Sequence, residues 1–141
     1  METFIHFLLN HWILSSAFII VTLLLLVIEM MNNLTGIAQI SPQEATHLIN
    51  HQNANILDIR PTERFMQGHI IGSINIPSSH IDQQYDKLKA EINKPLIIVC
   101  DSGQNSRNIA SLLKKQGFSS IVALKNGLNA WKENQLPLVK K

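Results

Sequence analysis

The chain has a single cysteine, Cys100, among its 141 residues. One thiol excludes an intramolecular disulfide framework, so the fold has to rest on its apolar core. Charge is absent from one end, with no Lys, Arg, Asp or Glu between residues 3 and 28. Dense basic runs are absent as well. Glu2 and Glu29 lie at that apolar end, so the remainder carries all 12 basic residues against 8 of the 10 acidic ones, a net charge of +4. The basic residues form nothing denser than pairs such as Lys114-Lys115 and Lys140-Lys141. A nucleic-acid-binding domain shows a tighter basic stripe, so nucleic acid is set aside as a partner. There is no internal repeat and no low-complexity tract.

The uncharged end is strongly apolar. Residues 13–28 are interrupted only by Ser15, Ser16 and Thr22. About 20 mostly apolar residues are needed to cross a bilayer core of about 30 Å, and residues 12–31 meet that length with Trp12 as an interfacial anchor. A buried core helix is an alternative, weakened because residues 19–28 are apolar on every face. A cleaved secretory signal is another, but Glu2 is the only early charged side chain and the apolar run ends in Glu-Met-Met-Asn-Asn. The expected organisation is a short tail over 1–10, a transmembrane helix over 11–31, a linker over 32–38 and one α/β domain over 39–141. Every Lys and Arg lies at Arg60 or beyond, and the short tail holds no basic residue, a pattern that permits the tail outside and the domain in the cytoplasm.

The rest of the chain alternates between strand and helix patterns. Ser41-Pro42-Gln43-Glu44 is a helix start, with Ser41 as cap, Pro42 at the first position and Glu44 closing a capping box. Residues 55–59 and 73–76 read as short strands, and Thr62 to Gln67 as helical turns ended by Gly68. Residues 81–92 follow a helical pattern around Ile81, Tyr85, Leu88 and Ile92. Residues 96–99 are wholly apolar after Pro95, as a central strand covered on both faces would be. A helix over 105–116 ended by Gly117, a strand over 120–124 and a helix over 128–134 with Trp131 complete the series. The pattern predicts an α/β fold, a parallel sheet with helices on both faces. His47 and His51 have metal-ligand spacing without a third ligand, so a solvated helix face is expected and no metal. His6, His11 and His80 form no cluster and receive no role.

The segment around Cys100 is the most informative. It places a thiol where an apolar strand ends and a helix is about to begin. In open α/β sheets ligands bind beyond the carboxyl ends of strands. A loop turning into a helix can point backbone N–H groups at an anion or a thiolate. The thiolate is the nucleophilic form of cysteine, and Gly103 lets the loop bend. Free cysteines are also among the most buried residue types, so position alone leaves an inert core thiol open.

Four local patterns occur in order. Leu57-Asp58-Ile59-Arg60-Pro61-Thr62-Glu63-Arg64-Phe65 is followed by Gly68-His69-Ile70-Ile71-Gly72-Ser73-Ile74-Asn75-Ile76-Pro77. Then come Cys100-Asp101-Ser102-Gly103-Gln104-Asn105-Ser106 and Leu124-Lys125-Asn126-Gly127-Leu128-Asn129-Ala130-Trp131. With these, residues 39–137 resemble a single rhodanese domain, and the anchor followed by one such domain resembles bacterial inner-membrane rhodanese-like proteins. The resemblance implies a rhodanese-like fold and a single-pass protein of the inner membrane. It further implies a sulfurtransferase in which Cys100 takes sulfane sulfur from a small donor as a persulfide and passes it to an external thiol or cyanide. Asp101, Ser102, Gly103, Gln104 and Asn105 would form the substrate-binding loop, with Ser106 opening the helix and no cofactor needed. With no second cysteine in the chain, the acceptor must come from outside.

Many active members of that family carry a basic residue directly after the cysteine and an arginine at the fifth position after it. Asp101 and Asn105 stand there. An acidic neighbour disfavours a thiolate and repels an anionic donor by about 1 kcal/mol or more at an effective dielectric near 20. Arg107 is the expected compensating charge, and thiosulfate is disfavoured as the physiological donor. Asp58 and Arg60 are expected to form a structural ion pair near the sheet's end, Gly68-His69 and Gly72 to shape a turn, and Trp131 to pack. The alternative function is a catalytically weak or inactive rhodanese-fold module that binds an integral membrane protein. A phosphatase-type loop would need arginine six residues after the cysteine, where Ser106 stands, with Arg107 one place late.

Overall fold

The computed structural model describes residues 1–34 and 36–140, and the chain divides into two compact units, Met1–Thr35 and Gly36–Lys141. The first unit is two helices, α1 (Glu2–Asn10) and α2 (Trp12–Leu34). Residues 2–10, expected as a tail, are thus helical. His11 separates the helices, its N–H donating to Phe7 O at 3.1 Å. Within α2 the 20 residues Trp12–Met31 are long and apolar enough to cross a membrane, and none of them is buried within the chain. Two of the polar interruptions are satisfied inside the helix: Ser16 Oγ donates to Ile13 O at 2.9 Å and Thr22 Oγ1 to Phe18 O at 2.8 Å. A hydroxyl returned to the preceding turn has its donor satisfied within the helix.

The second unit is a five-stranded sheet with helices on both faces. In chain order it runs β1 (Ala38–Ile40), α3 (Pro42–Gln52), β2 (Asn55–Asp58), α4 (Thr62–Gln67) and β3 (Ile74–Asn75). The 3-10 turn Ser78–His80, α5 (Ile81–Gln84) and the 3-10 segment Tyr85–Glu91 lead to β4 (Leu96–Val99), α6 (Gln104–Lys115), β5 (Ile121–Leu124) and α7 (Gly127–Glu133). The strand order is β1-β5-β4-β2-β3 and every pairing is parallel. All carboxyl ends therefore lie on one edge. Chain order reverses between β2 and β4, so the loops after those two strands diverge and leave a crevice, the place where such sheets bind ligands.

The core follows the pleat. Side chains alternate between faces along a strand, and β4 sends Leu96 and Ile98, with Cys100 just after it, to one cluster with Leu57, Ile81, Leu88, Ala110 and Leu113. Ile97 and Val99 go to the other, with Ala45, Ile56, Leu128 and Trp131. The capping box forms as its sequence requires: Glu44 N donates to Ser41 Oγ at 3.2 Å and Ser41 N to Glu44 Oε2 at 2.7 Å. Two expectations are corrected. Ala38 belongs to an edge strand paired with Val122 rather than to the linker. The helix expected over 81–92 is one α turn followed by 3-10 geometry, in which side chains at i and i+3 eclipse. The ion pairs Asp86–Lys89 and Glu91–Lys94 use that i,i+3 spacing.

Candidate active site around Cys100

Continuing the alternation of Leu96 and Ile98 turns Cys100 to the face covered by α6, so the strand delivers the thiol to the start of that helix. Cys100 is 6% exposed. The loop is short, running through Asp101, Ser102 and Gly103 before α6 begins at Gln104. Gly103 has φ +86 and occupies the cap position, and its N–H donates to Cys100 Sγ at 2.8 Å. An L side chain rarely adopts that conformation, and here the bend aims a backbone donor back at the sulfur.

A second turn supports the loop from the sheet side. The N–H groups of Leu128 and Asn129, in the first turn of α7, donate to Cys100 O at 2.8 Å and Asp101 O at 3.2 Å. With both carbonyls tied to α7, the loop's peptide orientation is set by an element other than α6. Gly127, at φ +56, makes this approach feasible, because a Cβ there would lie 2.2 Å from Cys100 O.

The charged groups come from the neighbouring strand end. Asp58 and Arg60, 1% and 5% exposed, pair with Nε 2.9 and 3.0 Å from the two carboxylate oxygens and Nη2 2.7 Å from Oδ2. Nη2 also donates to Gly68 O at 2.8 Å, and Asn75 Nδ2 bridges Asp58 O and Arg60 O at 3.0 and 2.9 Å. Removing one partner of so buried a pair costs about 3–5 kcal/mol. The free end of the guanidinium, Nη1, lies 3.8 Å from Asp101 Oδ1. Arg64, on α4, pairs with Asp101 Oδ2 through its own Nη1. A groove of about 420 Å³ opens beside the loop, lined by Arg60, Arg64, Gln67, Gly68, Asp101, Lys132 and Leu138. It borders the loop at Asp101. The groove wall at Leu138 is set by reciprocal bonds between His69 and Val139, 2.9 and 2.8 Å long.

The structure brings Asp101 to Arg60, which is paired with Asp58, and Gly103 N–H to Cys100 Sγ. Ser102, Gln104 and Asn105 are exposed on the loop and helix start. Ser106 is fully buried and its Oγ has no hydrogen-bond partner among the described residues. The cations nearest Asp101 are Arg64 and Arg60; Arg107 is half-buried on α6 and makes no ion pair among the described residues. Sequence reasoning did not assign Arg64, Gly127 or Lys132 a role. Arg64 and Gly127 stood in the quoted motifs, but their contacts to the loop span 37 and 26–27 residues, beyond any local spacing rule.

Comparison with known proteins agrees with this arrangement. The chain is 36% identical over 141 residues to YibN of Escherichia coli (strain K12), covering 99% of both chains. It is 31% identical over 100 residues to the thiosulfate sulfurtransferase GlpE of Actinobacillus pleuropneumoniae serotype 3 (strain JL03), covering 71% of this chain and 91% of that one. The crystal structure of a rhodanese-related protein from Thermoplasma volcanium superposes with a TM-score of 0.67 at 26% identity, over 74% of this chain and 99% of the other. Residues 41–134 match the family model described as a rhodanese-like domain, so the sheet, the crevice and the cysteine loop are those of a family member: the chain belongs to the rhodanese-like domain family.

Proposed function

We propose that the chain is a membrane-anchored sulfurtransferase that carries sulfane sulfur as a persulfide on Cys100. The observation that carries the reading is the Gly103 N–H donated to Cys100 Sγ at 2.8 Å, in a loop that starts a helix. A backbone N–H aimed at the sulfur is a donor of the kind that supports a nucleophilic sulfur and the negative charge of its leaving form. In the first half-reaction Sγ bonds to the donor's outer sulfur, the donor's S–S bond breaks, and sulfite or a thiolate leaves with that electron pair. In the second, an external thiolate bonds to the outer persulfide sulfur and Cys100 leaves as thiolate; with cyanide as acceptor, thiocyanate is released. Cys100 is the only cysteine in the chain, so no resolving thiol competes from within. Similarity to GlpE supports the reaction class.

The anchor in this reading is α2, whose apolar side chains stand exposed along its length. A contiguous apolar surface of that extent calls for a non-aqueous surrounding. The inner membrane with the domain in the cytoplasm is part of the proposal, supported by the apolar length of Trp12–Met31 and by basic residues that all lie at Arg60 or beyond. The test incubates the full chain in detergent with sulfane donors and reads its mass. One added sulfur, absent in Cys100→Ser, is expected; no adduct with any donor would sink the reading.

A further inference from the structure

Helix α1 ends one residue before the apolar span begins. At about 1.5 Å per residue the 20 residues Trp12–Met31 rise about 30 Å, the full depth of a hydrocarbon core. That leaves α1 outside the core but tied to its surface by His11 alone. The backbone leaves the helical path there, with φ −119 and ψ 41 at His11 against about −63 and −42 in an α-helix. The junction is nonetheless tight: His11 N–H donates to Phe7 O at 3.1 Å, Ser15 N–H to His11 O at 3.0 Å, and the Phe7 and His11 rings lie 4.8 Å apart. Thr3, His6 and Asn10 follow i, i+3, i+7 spacing and share one line of α1, while every other residue from 4 to 9 is apolar. At about 100° per residue, Ile5 lies about 130° round from the middle of that polar line. Ile5, Phe7 and Leu9 are all exposed.

We propose that α1 is an interfacial helix: it lies along the surface of the bilayer that α2 crosses, with Ile5 toward the acyl chains and Thr3, His6 and Asn10 toward headgroups and water. The occupant of its apolar side is the lipid of that leaflet. The inference rests on the membrane anchor in the reading above and is independent of the chemistry at Cys100. The tether decides for lipid over a protein partner, because a helix one residue from the span meets that surface wherever α2 is inserted. An amphipathic helix at such a boundary gains by burying its apolar arc while its polar line stays wet. Trp12, exposed at the junction, is of the residue type that favours this level of the membrane. Together they set the depth at which the span begins.

The experiment places single cysteines in the full-length Cys100→Ser chain, attaches a nitroxide and reconstitutes the protein in vesicles of phosphatidylethanolamine and phosphatidylglycerol. Accessibility to oxygen and to a water-soluble nickel chelate gives the depth of each label. Ile5→Cys is expected to read about 5–10 Å into the boundary of headgroups and acyl chains. Thr3→Cys, His6→Cys and Asn10→Cys should read at or above the phosphates, with Phe7→Cys and Leu9→Cys between. Leu24→Cys, within α2, is the control for the anchor and should read deepest of all. Adding Ile5→Glu should lift the Phe7→Cys and Leu9→Cys labels into water and leave Leu24→Cys at its depth. Six α1 labels all open to nickel describe a free tail, and six all deep describe a continuation of the span. Labels shielded from both reagents describe packing against a second copy. Each of these three results overturns the inference and leaves the anchor standing. A nickel-accessible Leu24→Cys label removes the anchor reading, and this inference with it.

Discussion

Replacing Gly127 by alanine tests how the Cys100 loop is held. The new Cβ would stand 2.2 Å from Cys100 O and 2.8 Å from both the carbonyl carbon and the oxygen of Asp101. All three atoms are backbone, so no side chain can swing aside. Alanine at φ +56 costs about 1–2 kcal/mol for the left-handed conformation alone. Forcing the two backbones apart adds about 1–3 kcal/mol, the usual range for overpacking. Separation also stretches the bonds from Leu128 N and Asn129 N to the loop carbonyls. The sum is about 2–5 kcal/mol, which for a domain of this size corresponds to a fall in Tm of about 10–25 °C.

The assay follows thermal unfolding of the full chain in detergent by tryptophan fluorescence. There are two tryptophans, Trp12 exposed in α2 and Trp131 buried in the second unit's core, so a Trp12→Phe background leaves Trp131 as sole reporter. Gly72→Ala is the matched control: φ is +76 there and nothing lies within 4 Å of the added Cβ. It should show the backbone cost without the collision. Sulfur loading of Cys100 should fall in Gly127→Ala and persist in the control. A Gly127→Ala protein that melts at or above the Gly72→Ala protein would refute the account of the loop as clamped against α7.

Ser106→Ala removes a fully buried hydroxyl that has no partner among the described residues, and alanine is the better helix former. The urea midpoint should stay level or rise by up to about 1 kcal/mol of stability, against the usual direction for a buried substitution. On acidification, Glu44 and Glu91 should report. Hydrogen bonds from the backbone and side chain of Ser41 hold the Glu44 carboxyl below its ordinary 4.5, and those from Lys94 and Asn55 do the same for Glu91. Both fold with a lowered pKa, so their contribution is present above that ordinary value and is lost as pH falls through the folded value. A Glu44→Gln, Glu91→Gln double variant should therefore show a shallower fall of Tm below about pH 5 than the parent; parallel curves would contradict it.

Features written in short stretches of sequence were legible, and those made by contacts across the sheet were not. Ser41 and Glu44 lie three residues apart and their capping box forms. The apolar run 96–99 could only be a central strand, and its parity sends Cys100 to the face of α6. The edge strand Ala38–Ile40 escaped because three residues carry no measurable period, and it exists through pairing with Val122, Ala123 and Leu124. The segment after Ile81 kept its inward anchors, Ile81 and Leu88, but wound as 3-10, because anchors seven apart do not specify how the turns between them wind. The partner of Asp101 was sought at Arg107, nearby in sequence, and found at Arg64 and Arg60, near only once β2 and β4 are side by side.

That adjacency explains why an acidic residue can follow Cys100 without leaving its charge uncompensated. In the β2–β4 ladder Asp58 is in register with Val99, and Ile59 N continues the pairing by donating to Val99 O at 3.0 Å. Carrying the register two steps further sets Ile59 beside Cys100 and Arg60 beside Asp101. The cation opposite the carboxylate is thus fixed by the ladder, with Arg64 added from the helix that follows. The same register decides the face of the thiol, since side chains alternate with a period of two. A slip of one residue would leave Asp101 without Arg60 opposite it and would turn the apolar side chains of β2 from their own cluster toward the other. Four consecutive buried side chains on β4, Leu96 to Val99, resist that slip from both faces. The stability of the central strands and the charge balance beside Cys100 are therefore one constraint: an apolar ladder with a single low-energy register holds the Arg60–Asp101 pair in place.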